Sequence, residues 1–199
     1  AIYYREEQGF AHDAVDIAVV VQQMVDADKS GVLFTSHPST GASMTIIEAA
    51  WGLGEAVVSG SVSPDNYHID RASGELEQAT VAEKKLEMVR DPHTGETVTN
   101  QLEDDRRTAR VLSDAEIDEL VTMGERVEAH YGTPQDVEWA IKDGTVYMLQ
   151  SRPITTINDD TNEETEKEES NGDSLLSGLG ASPGIASGAV RTIRKLDQL

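Results

Sequence analysis

The stretch that most limits what this chain can become is DVEWAIKDGTVYMLQSRP, residues 136–153. Two runs rich in Val, Trp, Ile, Tyr, Met and Leu flank an Asp-Gly pair, and Asp-Gly between alternating segments marks a tight β-hairpin. Its polar residues are unexpected: Asp136, Glu138, Gln150 and Arg152. Strand side chains alternate, so Asp136, Glu138 and Ala140 share one face while Val137, Trp139 and Ile141 share the other. On the return strand Met148, Gln150 and Arg152 share a face. Two registers are open. A two-residue Asp143-Gly144 loop pairs Glu138 with Leu149 and sets the carboxylates on the face away from the amide and guanidinium. A three-residue loop, Lys142-Asp143-Gly144 with Gly144 left-handed and forming a bulge, sets Glu138 against Met148 and Asp136 against Gln150. All four polar groups then project to one side, and a functional site requires that arrangement.

Such a cluster has a chemical reading. A Glu carboxylate and an amide oxygen across a hairpin are hard oxygen donors suited to Mg²⁺. An adjacent Arg offers charge to a transferring phosphoryl group, whose transition state is stabilised mainly by positioning and electrostatics. The competing reading is an exposed sheet face with a surface Glu–Arg pair, which contributes little energy. Spacing alone leaves both standing.

Upstream, residues 16–25 form a β-rich apolar run, followed by a turn-like Asp26-Ala27-Asp28-Lys29-Ser30-Gly31 and a second strand, Val32-Leu33-Phe34-Thr35. Residues 36–42 read as a loop and 44–50 as a third strand, leading into Trp51-Gly52-Leu53-Gly54-Glu55. Tyr67-His68-Ile69-Asp70 before Gly74 reads as one side of a hairpin. Residues 75–110 are polar and weakly periodic, which predicts a peripheral strand or two and loops. Residues 114–130 carry the clearest helix: Ser113 as N-cap with Glu116 three positions on makes a capping box. Ile117, Leu120, Val121, Gly124 and Val127 form its apolar stripe, and Tyr131-Gly132 with Pro134 ends it.

Charge divides the chain further. The 199 residues carry a net charge of −21, which argues against nucleic acid or an anionic membrane as partner. Residues 158–174 hold eight Asp/Glu and one Lys with almost no apolar side chain, the composition of a solvated, extended linker. Dispersed acidity elsewhere, with Arg outnumbering Lys, resembles the surfaces of proteins from salt-loving organisms. No run approaches the ~20 apolar residues of a membrane-spanning helix. The absence of cysteine excludes disulfides and thiolate metal sites and makes a cytoplasmic location the default expectation. The start at Ala1, without Met or a signal peptide, and the close at Leu199 without a stop signal suggest a piece of a longer protein.

Several motifs carry a family resemblance. Val21-Gln22-Gln23-Met24-Val25, Gly31-Val32-Leu33-Phe34-Thr35, Ala50-Trp51-Gly52-Leu53-Gly54-Glu55, Val62-Ser63-Pro64-Asp65, Tyr131 through Ala140, and Leu149-Gln150-Ser151-Arg152-Pro153 resemble the phosphoenolpyruvate synthases. Leu179-Gly180-Ala181-Ser182-Pro183-Gly184-Ile185-Ala186-Ser187-Gly188 resembles the start of that family's mobile phosphohistidine domain. The resemblance covers the chain from about residue 15 onward and is weakest over 75–110. It implies an α+β fold: the C-terminal part of an ATP-grasp domain, mostly antiparallel sheet with flanking helices, over 1–157. The acidic linker at 158–174 and a truncated swivelling phosphohistidine domain at 175–199 would follow.

By the same resemblance, ATP is the substrate bound here, with Mg²⁺ as cofactor. Glu138 and Gln150 would hold Mg²⁺–ATP, Asp136 would support that site, and Arg152 would contact the phosphates as the catalytic residue. Gln22 to Val25 match the hinge where backbone groups meet adenine, with Gln23 and Met24 as the contacts. Gly52, Gly54 and Glu55 are expected to line the nucleotide cleft. The reaction implied converts pyruvate and ATP to phosphoenolpyruvate, AMP and phosphate through a phosphohistidine. Pyruvate would bind in domains absent here, and a homo-oligomeric full-length enzyme stays open. Thr35-Ser36-His37 mimics the family's phosphohistidine motif, but it follows a strand of the nucleotide domain, so His37 is expected to be an ordinary loop residue. Pyruvate phosphate dikinases and rifampin-type phosphotransferases share this domain order. A non-catalytic nucleotide-binding module is the alternative of another class.

Overall fold

The computed structural model of the protein describes Arg5 and residues 19–155; the expected linker and the expected opening of a second domain lie outside the described residues. Six strands make the main sheet: β1 (Lys29–Phe34), β2 (Met44–Trp51), β3 (Asp65–Asp70), β4 (Leu76–Thr80), β7 (Gln135–Lys142) and β8 (Thr145–Pro153). Their order is β4-β3-β2-β1-β7-β8, and every neighbouring pair is antiparallel. A separate two-stranded sheet pairs β5 (Leu86–Arg90) with β6 (Thr97–Gln101). Three helices lie within residues 19–155: α1 (Glu55–Val58), α2 (Asp104–Arg107) and α3 (Asp114–Tyr131). The expected mostly antiparallel α+β architecture is therefore present.

Strand alternation gives the sheet two unlike faces. Leu33, Ile47, Tyr67, Ile69, Val137, Trp139 and Ile141 point to one side and are buried with Ile117 and Leu120 of α3. The helix is nucleated as its sequence predicts. The Ser113 hydroxyl accepts from the Glu116 amide, the Glu116 carboxylate accepts from the Ser113 amide at 2.8 Å, and Gly132 closes the C-terminus in the left-handed region. The opposite face, against which the short α1 packs at Ala50, carries Val32, Glu48, Ala50, Asp136, Glu138 and Ala140.

Two expectations are corrected. Residues 19–27 adopt no strand, although the apolar run predicts one: they pair with no neighbouring strand among the described residues, and Val19, Val20 and Val21 are 83%, 82% and 96% exposed. Strand propensity needs a partner edge to become a strand. The 75–110 region is richer than a strand or two with loops, since it holds β4, β5, β6 and α2. It is also pinned to the sheet from inside. Asp65 and Lys84 form a fully buried ion pair. The Asp65 carboxylate additionally accepts from the amides of Ala82 (3.0 Å) and Val111 (2.8 Å) and from the Tyr67 hydroxyl (3.0 Å). Burial pushes the Tyr67 phenol up to about 12, so it stays a donor to that carboxylate. A polar sequence thus conceals a buried charge network.

Candidate functional site

The hairpin loop is two residues long, not three: Lys142 pairs with Thr145, and Asp143 and Gly144 both have positive φ, at 50° and 74°. Positive φ at both central positions defines the turn whose twist matches the strands, and Asp-Gly suits it because Gly has no Cβ and Asp tolerates the left-handed region. The register expected from a three-residue loop, Glu138 on Met148 and Asp136 on Gln150, is therefore wrong. A bulge further along restores a common face instead. Trp139 pairs with Met148 but Glu138 pairs with Gln150, so Leu149 is the extra residue, and Asp136 pairs with Arg152. Glu138 lies opposite Gln150, and Asp136 opposite Arg152.

The second pair is an ion pair. The Arg152 Nε and terminal nitrogen both reach Asp136 Oδ2, at 2.9 and 2.8 Å, with Arg152 68% exposed and Asp136 12%. The guanidinium is held at one edge by its neighbour while most of it faces outward. A cation tethered in this way is pre-oriented yet still available to an incoming anion.

The first pair opens onto a cleft of about 410 Å³. Its lining joins Gln22, Gln23, Met24 and Val25 on one side, Leu53, Gly54 and Glu55 on another, and Glu138, Ala140, Leu149 and Gln150 on the sheet. Of the residues singled out in the sequence, Gln23, Met24, Glu138, Gln150, Gly54 and Glu55 meet here. Asp136 and Arg152 lie one pair further along the ladder, outside the lining, and Gly52 sits behind the wall rather than in it. Leu149, Ala140, Leu53 and Ala27 were not foreseen; they give the cleft an apolar floor, with Val25 and Met88 packed against it. Turn chemistry was the missed signal for Leu149, because a two-residue Asp-Gly loop can bring Gln150 to Glu138 only if one residue is extruded. The Gln22 side-chain Nε2 donates to the carbonyl of that bulged residue at 3.3 Å, tying the 22–25 segment to the hairpin.

Another carboxylate was missed. Glu48 pairs with Val32, which pairs with Glu138, so the two glutamates share a row on the open face with one strand between them. Burial, opposed by a long hydrogen bond from Asn66 (3.5 Å) and reinforced by the charge of Asp136, raises the Glu48 carboxyl above its ordinary range. His37, by contrast, behaves as a loop residue: its Nδ1 accepts from the amides of Ser39 and Thr40 at 3.2 and 3.3 Å.

The donor set suits Mg²⁺. Among the described residues no group of three or more His, Cys, Asp or Glu forms a closed metal cage. Mg²⁺ commonly takes one or two carboxylates and completes its shell with water and substrate phosphates. One carboxylate facing one amide at the mouth of a cleft fits that pattern.

The family profile of the pyruvate phosphate dikinase AMP/ATP-binding domain matches residues 1–173. The chain belongs to this family. It is 56% identical over 199 residues to a probable phosphoenolpyruvate synthase of Methanothermobacter thermautotrophicus, covering 100% of this chain and 28% of that protein. A probable phosphoenolpyruvate synthase of Archaeoglobus fulgidus is 55% identical over 195 residues, 97% of this chain and 26% of the relative. Rifampicin phosphotransferase of Bacillus subtilis is 41% identical over 158 residues, 79% of this chain and 18% of that enzyme. The chain thus spans about a quarter of the length of the synthases it matches. No helix of the described residues is long and apolar enough to cross a membrane.

Proposed function

We propose that this chain is the C-terminal part of an ATP-grasp domain and supplies one wall of a Mg²⁺–ATP site. The protein to which it belongs would make phosphoenolpyruvate, AMP and phosphate from pyruvate, ATP and water. The observation that carries this reading is the pairing of Glu138 with Gln150 on the wall of the cleft that Gln23 and Met24 also line, with Arg152 and Asp136 as the next pair. In this reading the base of the nucleotide rests on Leu53, Ala140 and Leu149, and the 23–25 segment, free of strand pairing, offers peptide groups to its edge. Mg²⁺, held by Glu138 and Gln150, would neutralise phosphate charge. Arg152, oriented by Asp136, faces the phosphates and stabilises the charge that redistributes as the phosphoryl group leaves. Residues 158–174 would then be the acidic tether, and 175–199 the start of the domain that carries the accepting histidine.

The acceptor is read from the relatives. Identity to the synthases extends over the whole chain, whereas identity to the rifampicin phosphotransferase is lower and covers 79% of it. The test is AMP release by the full-length protein from ATP, with pyruvate or rifampicin supplied as acceptor. Pyruvate-dependent AMP release supports the synthase reading; rifampicin-dependent release transfers the chain to the antibiotic-modifying group. Nucleotide binding with no turnover of either acceptor supports a nucleotide-binding module instead.

A further inference from the structure

The β5–β6 hairpin belongs to the region where the sequence predicts peripheral structure, yet it touches the back of the cleft wall. Met88 of β5 forms a parallel bridge with Gly52, and its carbonyl accepts the amide of Leu53 at 2.7 Å. Gly52 is fixed from two other sides. Its amide donates to the Asp28 carbonyl at 3.0 Å, and its own carbonyl accepts the buried Ser30 hydroxyl at 2.6 Å. Its φ is +77°, and a Cβ at this position would lie 2.2 Å from the Met88 carbonyl oxygen. Glycine is therefore required both for the backbone conformation and for the approach of the hairpin.

The Met88 side chain packs against two clusters at once. One is the cleft floor of Ala27, Leu53 and Ala140; the other is Ala50, Ala56 and Val62, under α1. The residues that follow Gly52, namely Leu53, Gly54 and Glu55, are the cleft wall. The hairpin is itself anchored nearby: Glu87 pairs with Arg106 at 3.0 Å, the Arg106 guanidinium lies 4.8 Å from the Trp51 ring, and Trp51 Nε1 donates to the Arg106 carbonyl at 3.0 Å. Trp51 immediately precedes Gly52, so side chain and backbone contacts converge on the one corner that carries the wall.

We propose that Met88 is a positioning residue for the nucleotide site, and that the β5–β6 hairpin acts through it as a strut fixing the Leu53–Gly54–Glu55 wall. A backbone hydrogen bond, a sterically closed glycine contact and a side chain shared between two clusters leave this wall little freedom to retreat. The inference rests on the nucleotide reading of the cleft. Met88 supports the cleft floor without lining the cleft itself, whereas Glu138 and Gln150 line it, so loss of Met88 should weaken binding of the nucleotide and leave the transfer step alone.

The experiment compares Met88→Ala, Met88→Leu, Gly52→Ala and a control in the exposed β5–β6 turn, His93→Ala, in the full-length protein. ATP affinity, KM and kcat for ATP, Tm, and hydrogen exchange of the Leu53 amide are measured on each. Met88→Ala should raise Kd and KM for ATP by about tenfold, corresponding to ~1.4 kcal/mol, with kcat at saturation unchanged and Leu53 exchange accelerated. Met88→Leu, of similar volume, should restore affinity, Gly52→Ala should weaken it at least as much as Met88→Ala, and His93→Ala should match the parent. A merely structural role predicts a lower Tm with KM, Kd and Leu53 exchange at parent values; that result overturns the proposal. If the parent protein fails to bind ATP, the nucleotide reading falls and takes this inference with it. Unaltered ATP affinity in Met88→Ala, with the parent binding normally, removes the strut alone.

Discussion

Replacing Asp65 with Asn tests whether the polar 75–110 region is truly pinned to the sheet from within. One Asp65 oxygen accepts the Ala82 amide and the Lys84 ammonium, and the other accepts the Tyr67 hydroxyl and the Val111 amide. An Asn amide must turn its NH₂ toward one of these two donor pairs, so at least two donors lose their acceptor whichever way it flips. Lys84 is also left as an unpaired buried cation. Removing one member of a buried pair costs about 3–5 kcal/mol, a large share of the ~5–15 kcal/mol that stabilises a typical domain. At roughly 2–4 °C per kcal/mol for a protein of this size, Tm should fall by about 6–20 °C. Thermal unfolding followed by circular dichroism measures it. The double variant Asp65→Asn/Lys84→Met should be less destabilised than the sum of its single variants, because the orphaned charge is gone. A Tm within about 2 °C of the parent for Asp65→Asn would refute the network as a stabilising element, since the spread of harmless substitutions is that large.

Ser113→Ala removes the hydroxyl of the α3 capping box and should cost about 1 kcal/mol, or roughly 2–4 °C in Tm by the same assay. Glu48→Gln should raise Tm near pH 7. Burial holds the folded Glu48 carboxyl above its ordinary 4.5, so the fold pays a penalty for the ionised group at neutral pH. That penalty fades as pH falls through the raised folded value and is gone once pH is below the unfolded value of 4.5, so the gain should vanish by about pH 4; equal Tm differences at both pH values would contradict it.

Much of this architecture was legible because local signals agreed. The capping box, apolar stripe and Gly132 of α3 each point to the same helix, and Asp143-Gly144 marks the hairpin. The register was not legible. Both loop lengths satisfy the alternation, and the answer lay in extrusion of Leu149, which depends on what packs against it: Ala27, Leu53 and Ala140, all remote in sequence from β8 except Ala140. The apolar run misled over its described part, 19–25, for the converse reason, since β-branched residues describe a strand only where an edge is available to pair with. Lys84 and Met88 gave no sign of importance because nothing in a polar, aperiodic stretch identifies the one side chain that turns inward. Of the residues that line the cleft, Glu138 and Gln150 stood out by their spacing in the hairpin and Gln23 and Met24 through the family resemblance, whereas the apolar floor could not be named.

The central claim is that Glu138, Gln150 and Arg152 act together on Mg²⁺–ATP. It is tested most directly by the rate at which the full-length protein becomes phosphorylated from ATP across a range of Mg²⁺ concentrations, for the parent, Glu138→Gln and Arg152→Ala. Arg152→Ala should slow phosphorylation far more than it weakens ATP binding, because its charge matters most where phosphoryl charge redistributes. Glu138→Gln should instead shift the Mg²⁺ requirement to higher concentration, since a neutral amide is a poorer ligand for a hard cation. Phosphorylation of both variants at the parent rate over the whole Mg²⁺ range would contradict the claim and leave the hairpin face as ordinary exposed sheet.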